Sequence, residues 1–286
     1  GDGVSIYNNT FKETATNVYT SSQHSKIVQL TGNFVKVYGN TFTDAGEAVI
    51  DYDGYSNSNP HDVWVYNNVF RIVTSFDNYP EYVRLYASAG SISSITNFKV
   101  LNNIFADNTR SAAIRIDRFN GAPAASGNEI KNNIFYNNGG GSKTAAIYVE
   151  NSAGFTNNSF VFDGNLYFNS TSTPYVMFRG TDYPASNWVS ANEPHGNTDS
   201  PQFVRYTPHD AANDFHLKST DTAARDAGVD LSGYFTTDKD GATRMYGAAW
   251  DVGPYEYETG DSGDTAPPSI PSGFLARTVS VSEIVL

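Results

Sequence analysis

The side chains best suited to chemistry lie in short segments that alternate polar and apolar residues. These are KIVQLTG at 26–32, AVIDYDG at 48–54, YVRLYA at 82–87, AIRIDRF at 113–119, AIYVEN at 146–151 and YVMFRG at 175–180. If Ile50, Val83, Ile114, Ile147 and Val176 turn inward, strand alternation turns their neighbours outward. One outward column then reads Gln29, Asp51, Arg84, Arg115, Tyr148, Met177, and the next reads Thr31, Asp53, Tyr86, Asp117, Glu150, Arg179. Arg118 follows at the edge of the same face. A merely solvated face would be mostly Ser, Thr, Asn and Lys. Two reactions suit this set. Removing the proton beside a uronic acid carboxylate needs a base and a cation that neutralises the carboxylate. Hydrolysing a glycosidic bond needs two carboxyl groups. Asp117 and Glu150 on adjacent strands would lie near the roughly 5 Å of retaining hydrolases, and Asp53 and Asp117 near the roughly 9.5 Å limit of inverting ones. The unreactive alternative is a lattice of cross-strand ion pairs, each adding little stability.

Such columns require strands stacked in register, and the sequence repeats. SIYNNTF, KVYGNTF, WVYNNVF, KVLNNIF and EIKNNIF end at Phe11, Phe42, Phe70, Phe105 and Phe135, and a degenerate copy, VFDGNLYF, ends at Phe168. Their second Asn falls at Asn9, Asn40, Asn68, Asn103, Asn133 and Asn165, in steps of 31, 28, 35, 30 and 32 residues. Fixed strands with loops of varying length suit a β-helix, whereas helical-repeat solenoids structure their whole unit. Asn tolerates unusual backbone angles at a bend, and stacked coils about 4.8 Å apart let such Asn bond one another. The charged segments recur midway between these motifs, so two periodic signals run in phase. An immunoglobulin-like sandwich would not repeat one motif six times. The expected fold is all-β: a right-handed parallel β-helix over 1–190, an irregular C-terminal cap segment over 191–258, and a linker with the start of another module over 259–286.

Composition narrows the partners. A formal net charge of −12 over 286 residues argues against nucleic acid, which needs a basic footprint. An acidic chain can bind an anionic sugar polymer only through a local cationic patch or bound metal ions. With no cysteine, disulfides, thiolate metal sites and Cys nucleophiles are excluded. No apolar run approaches the roughly 20 residues that span a bilayer. The chain opens in what reads as mid-domain sequence, so any export signal is expected to lie upstream or to have been removed.

The tail resembles a known segment. SPQFV at Ser200, NDFHLKSTDTAARDAG ending at Gly228, TDKDGATR ending at Arg244 and DVGPYEY at Asp251 to Tyr257 look like the end of secreted bacterial right-handed β-helix repeat proteins of the pectate-lyase-like superfamily. After the polar GDSGDT, the stretch APPSIPSGFLARTVSVSEIVL resembles the opening strand of a fibronectin type III module. The resemblance implies a secreted or cell-surface protein with further domains at both ends. β-Helix lyases use a Lys or Arg base with acidic Ca²⁺ ligands on this kind of face. Carried over, it makes Arg84 or Arg115 the base and Asp51, Asp53 and Asp117 ligands of Ca²⁺, the one cofactor implied. Arg is a poor base at its normal pKa, so a second cation must crowd it. The leading reading is a polysaccharide lyase, or less favourably a glycoside hydrolase, with Arg84, Arg115, Asp117 and Glu150 catalytic. Tyr86, Tyr148, Arg118 and Trp64 would then hold the sugar. The alternative is a non-catalytic carbohydrate-binding or adhesin-type module.

The functional reading expects Arg84 and Arg115 to be outward, partly exposed in a concavity and not sealed in ion pairs. Tyr7, Tyr38 and Tyr66, with Trp64 nearby, form a second outward column that is either a sugar platform or a surface covered by other chain. Asp238 and Asp240 in DKDG read as a structural turn, because further calcium-loop ligands are missing. No pair among His24, His61, His195, His209 and His216 has metal-ligand spacing.

Overall fold

The computed structural model describes residues 3–12, 26–44, 48–53, 59–74, 81–86, 93–117, 124–139 and 144–258. Within them the chain forms a parallel β-solenoid whose coils each contribute one strand to each of three sheets. The first sheet stacks Ser5–Tyr7, Val35–Tyr38, Val63–Tyr66, Lys99–Leu101, Asn128–Lys131 and Phe160–Asp163. The second stacks Thr10–Lys12, Thr41–Thr43, Val69–Arg71, Ile104–Ala106, Ile134–Tyr136 and Leu166–Phe168. The third stacks Lys26–Leu30, Ala48–Asp53, Glu81–Tyr86, Ile114–Asp117, Ile147–Val149 and Tyr175–Phe178, then adds Thr181–Pro184 antiparallel.

Register places like on like. Ile6, Val37, Val65, Val100, Ile130 and Phe162 are successive partners in the first sheet. In the second, Phe11, Phe42, Phe70, Phe105, Phe135 and Tyr167 stack at ring-centroid spacings of 4.9 to 5.2 Å. Burying such aromatic columns is the main favourable term in a fold with so few charges. The sixth motif ends one residue earlier than the sequence suggests. Tyr167 pairs with Phe135 inside the core, and Phe168 pairs with Tyr136 on the outer face.

The two adjacent residues of each motif corner do different work. The first adopts positive φ: 54° at Asn8, 67° at Gly39, 53° at Asn67, 49° at Asn102, 54° at Asn132 and 65° at Gly164. Only Gly and Asn enter this region at low cost. The second points inward and forms a polar ladder. The backbone N–H and Nδ2 of Asn40 donate to Asn68 Oδ1 at 3.0 and 3.1 Å, and Asn68 donates likewise to Asn103 at 3.0 and 3.0 Å. Asn103 repeats the pattern on Asn133, and Asn133 on Asn165. The expected line of Asn40, Asn68, Asn103 and Asn133 is therefore present.

The ladder ends on a carboxylate. Glu193 follows the helix Ala185–Asn192, and its Oε2 accepts from the N–H and Nδ2 of Asn165 at 3.2 and 3.0 Å. Its Oε1 accepts from Tyr167 Oη at 2.5 Å and Trp188 Nε1 at 2.6 Å. Glu193 thus supplies the acceptor that a next Asn would have supplied. Trp188 and Ala185 of the helix close the core above it.

Residues 193–258 lie along the outer faces of two sheets. Phe203, Phe215, Leu217, Ala223, Ala224 and Val252 cluster with Val69, Ile104, Ile134 and Leu166 of the second sheet. Leu231 and Trp250 cluster with Tyr66 and Leu101 of the first. The positive-φ Asn residues anchor this segment. Asn67 accepts from Arg244 Nη2 at 2.9 Å, Asn102 donates to the carbonyls of Asp251 and Gly253 at 3.0 and 2.9 Å, and Asn132 exchanges two bonds with Val229. Arg244 is buried and also contacts Glu256 at 3.2 Å. Asp238 Oδ1 accepts from the N–H groups of Asp240 and Ala242 at 2.8 Å each, so DKDG is a turn, as expected. Of the tail motifs, Arg244 and the Asp251–Gly253 backbone bond the solenoid, whereas Asp221, His216 and Asp238 bond within the tail. The expected linker and module start at 259–286 lie outside the described residues.

Candidate functional site

Neither outer cluster includes a residue of the third sheet. That sheet carries the charged columns, and its register matches the alternation. Gln29, Asp51, Arg84, Arg115, Tyr148 and Met177 are successive partners, and Asp53, Tyr86 and Asp117 are partners in the next column. Glu150 sits beside Asp117: Ile116 pairs with Val149, and the Glu150 N–H donates to the Ile116 carbonyl at 2.9 Å. Asp53 is in its strand, but its side chain, Arg118 and much of the loops entering this face lie outside the described residues.

The two arginines differ in what surrounds them. Arg84 is only 7% exposed; its Nε lies 2.6 Å from Asp51 Oδ1 and its Nη1 3.8 Å from Glu81 Oε2. Lys26 Nζ approaches the other Asp51 oxygen at 2.5 Å. Arg115 remains 26% exposed, with Nε 2.6 Å from Asp117 Oδ2 and Nη1 3.5 Å from Glu81 Oε1. Each guanidinium also lies over a tyrosine, Arg84 at 4.8 Å from the Tyr86 ring and Arg115 at 4.7 Å from the Tyr148 ring. Of the two, only Arg115 is partly exposed as expected, and it too is ion-paired. Arg84 is sealed because Asp51 and Glu81 approach it and the sheet buries all three.

Glu81 did not emerge from alternation, which would turn it inward with Val83. The N–H groups of Tyr82 and Val83 both donate to the Ala113 carbonyl at 3.0 Å, and both side chains lie in the core, so alternation breaks between them. Tyr82 takes the inward place against Phe70 and Phe105, and Glu81 emerges beside Arg84 and Arg115. Its Oε1 accepts from Ser111 Oγ at 2.8 Å. Burial, opposed by the two arginines and Ser111, pushes the Glu81 carboxyl up to about 7. The only sequence signal was a polar Glu opening a strand whose next two residues are Tyr82 and Val83.

Electrostatics also changes the proposed roles. Burial works against the charge on Arg115, but Asp117 and Glu81 outweigh it and hold its proton more tightly than usual. A proton so held works against the base role expected of Arg115. Asp51 has one oxygen on Arg84 and the other close to Lys26, so both its oxygens already face cations. Among the described residues no three carboxylate or histidine side chains gather as a metal site, and the Asp53 side chain lies outside them. Asp117 Oδ1 is buried without a hydrogen bond.

Trp64 belongs to the first sheet, not to this cluster. Tyr234 meets its ring edge-on at 5.5 Å and Lys36 lies 4.5 Å above it. Tyr7, Tyr38 and Tyr66 do stack, at 5.1 and 4.8 Å, but Phe235 covers Tyr66 at 4.6 Å. The column is covered by the tail at one end and exposed at Tyr7. His216 is held between Asp214 at 2.5 Å and Asp240 at 2.8 Å, and His195 contacts Asp163 at 3.1 Å, so carboxylates occupy both rings.

These features make the chain a parallel β-solenoid repeat protein with one charged sheet outside the two that the tail covers. No family model and no curated protein matches the sequence. No helix among the described residues is long and apolar enough to cross a membrane.

Proposed function

We propose that the third sheet is a binding face for an acidic polysaccharide, on a secreted or cell-surface module of the pectate-lyase-like kind with a fibronectin type III neighbour. The observation that carries this reading is Arg115, a partly exposed guanidinium flanked by the Tyr148 ring on the sheet that bears neither tail cluster. A uronate carboxylate accepts paired N–H donors from such a group, and the sugar ring can rest on the tyrosine. Arg84 belongs to the support beneath it. Non-catalytic binding is favoured over lyase chemistry because Arg115 holds its proton tightly and Arg84 is buried.

Cleavage is the second reading, favoured by Glu81 alone: a buried carboxyl near neutral pKa, within reach of Arg115, could move a proton where an arginine cannot. One experiment tests both. The full chain is titrated with a polyuronate and a neutral polysaccharide, while unsaturated product and reducing ends are followed. Salt-sensitive binding to the polyuronate, lost in Arg115→Ala and without product, is expected. Wild-type binding by Arg115→Ala, or no polyuronate binding at all, refutes the assignment. Product formation abolished by Glu81→Gln with binding retained establishes cleavage.

A further inference from the structure

A cavity of about 360 Å³ opens where the last coil meets the capping helix, and it shares no lining residue with the cluster around Arg115. That volume is in the range of small-ligand sites, roughly 300–1,000 Å³. Phe162, Phe178, Tyr183 and Trp188 form its walls, and its lining holds no charged side chain. Phe162 stands at 86° to both Phe178 and Trp188, so the rings make a corner and not a slot. The mouth carries three exposed amides, Asn157, Asn158 and Asn192. Asn192 Nδ2 donates to the Trp188 carbonyl at 3.2 Å, which leaves its Oδ1 as an acceptor. Arg179 Nη1 donates to Asn157 Oδ1 at 2.7 Å, which fixes that amide and leaves its Nδ2 as a donor. Holding Asn157 in this way has a cost. Arg179 adopts a φ of 51° ahead of Gly180 at 80°, in a turn where Gly or Asn would be free of strain. Its Nε is also buried without a hydrogen bond. Strain that persists in a fold is concentrated where the position of a side chain matters.

We infer that this cavity binds one uncharged sugar ring. The walls and the mouth select it together. A planar ligand could stack on only one ring of a corner. A pyranose presents C–H groups on its faces and its edge, and these meet the negative faces of several rings at once. An ion would find no opposite charge in the lining, and the Arg179 guanidinium beside it already serves Asn157. A wholly apolar occupant would strip water from the three amides without replacing their hydrogen bonds. Sugar hydroxyls both donate and accept, so they satisfy Asn157 Nδ2 and Asn192 Oδ1 alike. The inference stands apart from the polyuronate reading of the third sheet, because the two sites have no residue in common.

The full chain is titrated with the methyl glycosides of glucose, galactose, mannose and N-acetylglucosamine, and separately with glucuronate and with indole. The Trp188 indole N–H and the side-chain amides of Asn157, Asn158 and Asn192 are followed by NMR. Saturable shifts of these signals are expected with at least one glycoside, and weaker binding with glucuronate and indole. Asn158→Ala and Arg179→Gly should each weaken the glycoside by about threefold to tenfold, the effect of one neutral hydrogen bond. Arg179→Gly should also melt no lower than the wild type, because glycine accepts the left-handed backbone, so its lost affinity is not lost fold. Absence of shifts with every glycoside overturns the inference, as does wild-type affinity in both variants. Tighter binding of indole or of glucuronate also overturns it, because the occupant is then flat or charged.

Discussion

Arg84→Ala should cost far more stability than Arg115→Ala and should leave sugar binding intact. Arg84 is 7% exposed and lies 2.6 Å from Asp51, whose side chain is fully buried. Removing one member of a buried pair typically costs about 3–5 kcal/mol, because the other charge stays behind uncompensated. Lys26, at 2.5 Å from the same carboxylate, retains part of the compensation and brings the expected loss to about 3 kcal/mol. Arg115 is 26% exposed, so water screens its pair, and its removal should cost about 1–2 kcal/mol. Urea unfolding of the two variants and the wild type measures both losses. A double variant, Asp51→Asn with Arg84→Met, removes the charge left behind, and at least half of the stability should return. If Arg84→Ala unfolds with the wild type while polyuronate binding falls, the pair is part of the binding site and the reasoning fails.

Asn103→Ala should cost about 3 kcal/mol or more, since it strands the buried Asn68 N–H and removes bonds to the Val65 carbonyl and Asn133 Oδ1. Asn9→Ala, at the exposed end, should cost under about 1 kcal/mol, and equal losses at the two positions would contradict the ladder account. Burial raises the carboxyls of Glu81, Glu193 and Asp251 to about 7, above their ordinary 4.5, 4.5 and 3.8. Such groups give stability that is complete below the ordinary carboxylate range and is lost as pH rises through about 7. For His216, burial lowers the pKa, but Asp214 and Asp240 outweigh it and raise it to about 10, so its contribution also fades upward from its ordinary 6.5. The urea midpoint should therefore be higher at about pH 6 than at about pH 8.5, and a flat or inverted profile would show these assignments to be wrong. Polyuronate binding should strengthen over the same fall in pH. Lys26, Arg84 and Arg115 face Asp51, Glu81 and Asp117, and a proton on Glu81 removes one negative charge from the cluster. Glu81→Gln should bind tightly at both pH values, and titration of the two variants by calorimetry decides it.

The spacing of the Asn residues was enough to determine the solenoid and its register. Each coil repeats one local geometry, so a residue's height and facing follow from its place in the motif. That is why the column from Gln29 to Met177 was legible before any coordinates, and with it the meeting of Asp51, Arg84 and Arg115. The same regularity hid Glu81, because alternation is a valid guide only inside a strand, and at its start Tyr82 and Val83 both turn into the core. Sequence also could not show that Arg84 is sealed and Arg115 is not, since burial depends on how deeply each strand lies beneath its neighbours. The roles of Trp64 and Tyr66 turned on Tyr234 and Phe235, and the last rung of the ladder on Glu193. The tail reaches its anchors across 97 to 177 residues, as in Asn132 with Val229 and Asn67 with Arg244. No periodicity links such positions. They meet because the folded coils present a row of half-satisfied Asn side chains and an apolar surface, and that row exists only once the coils have stacked.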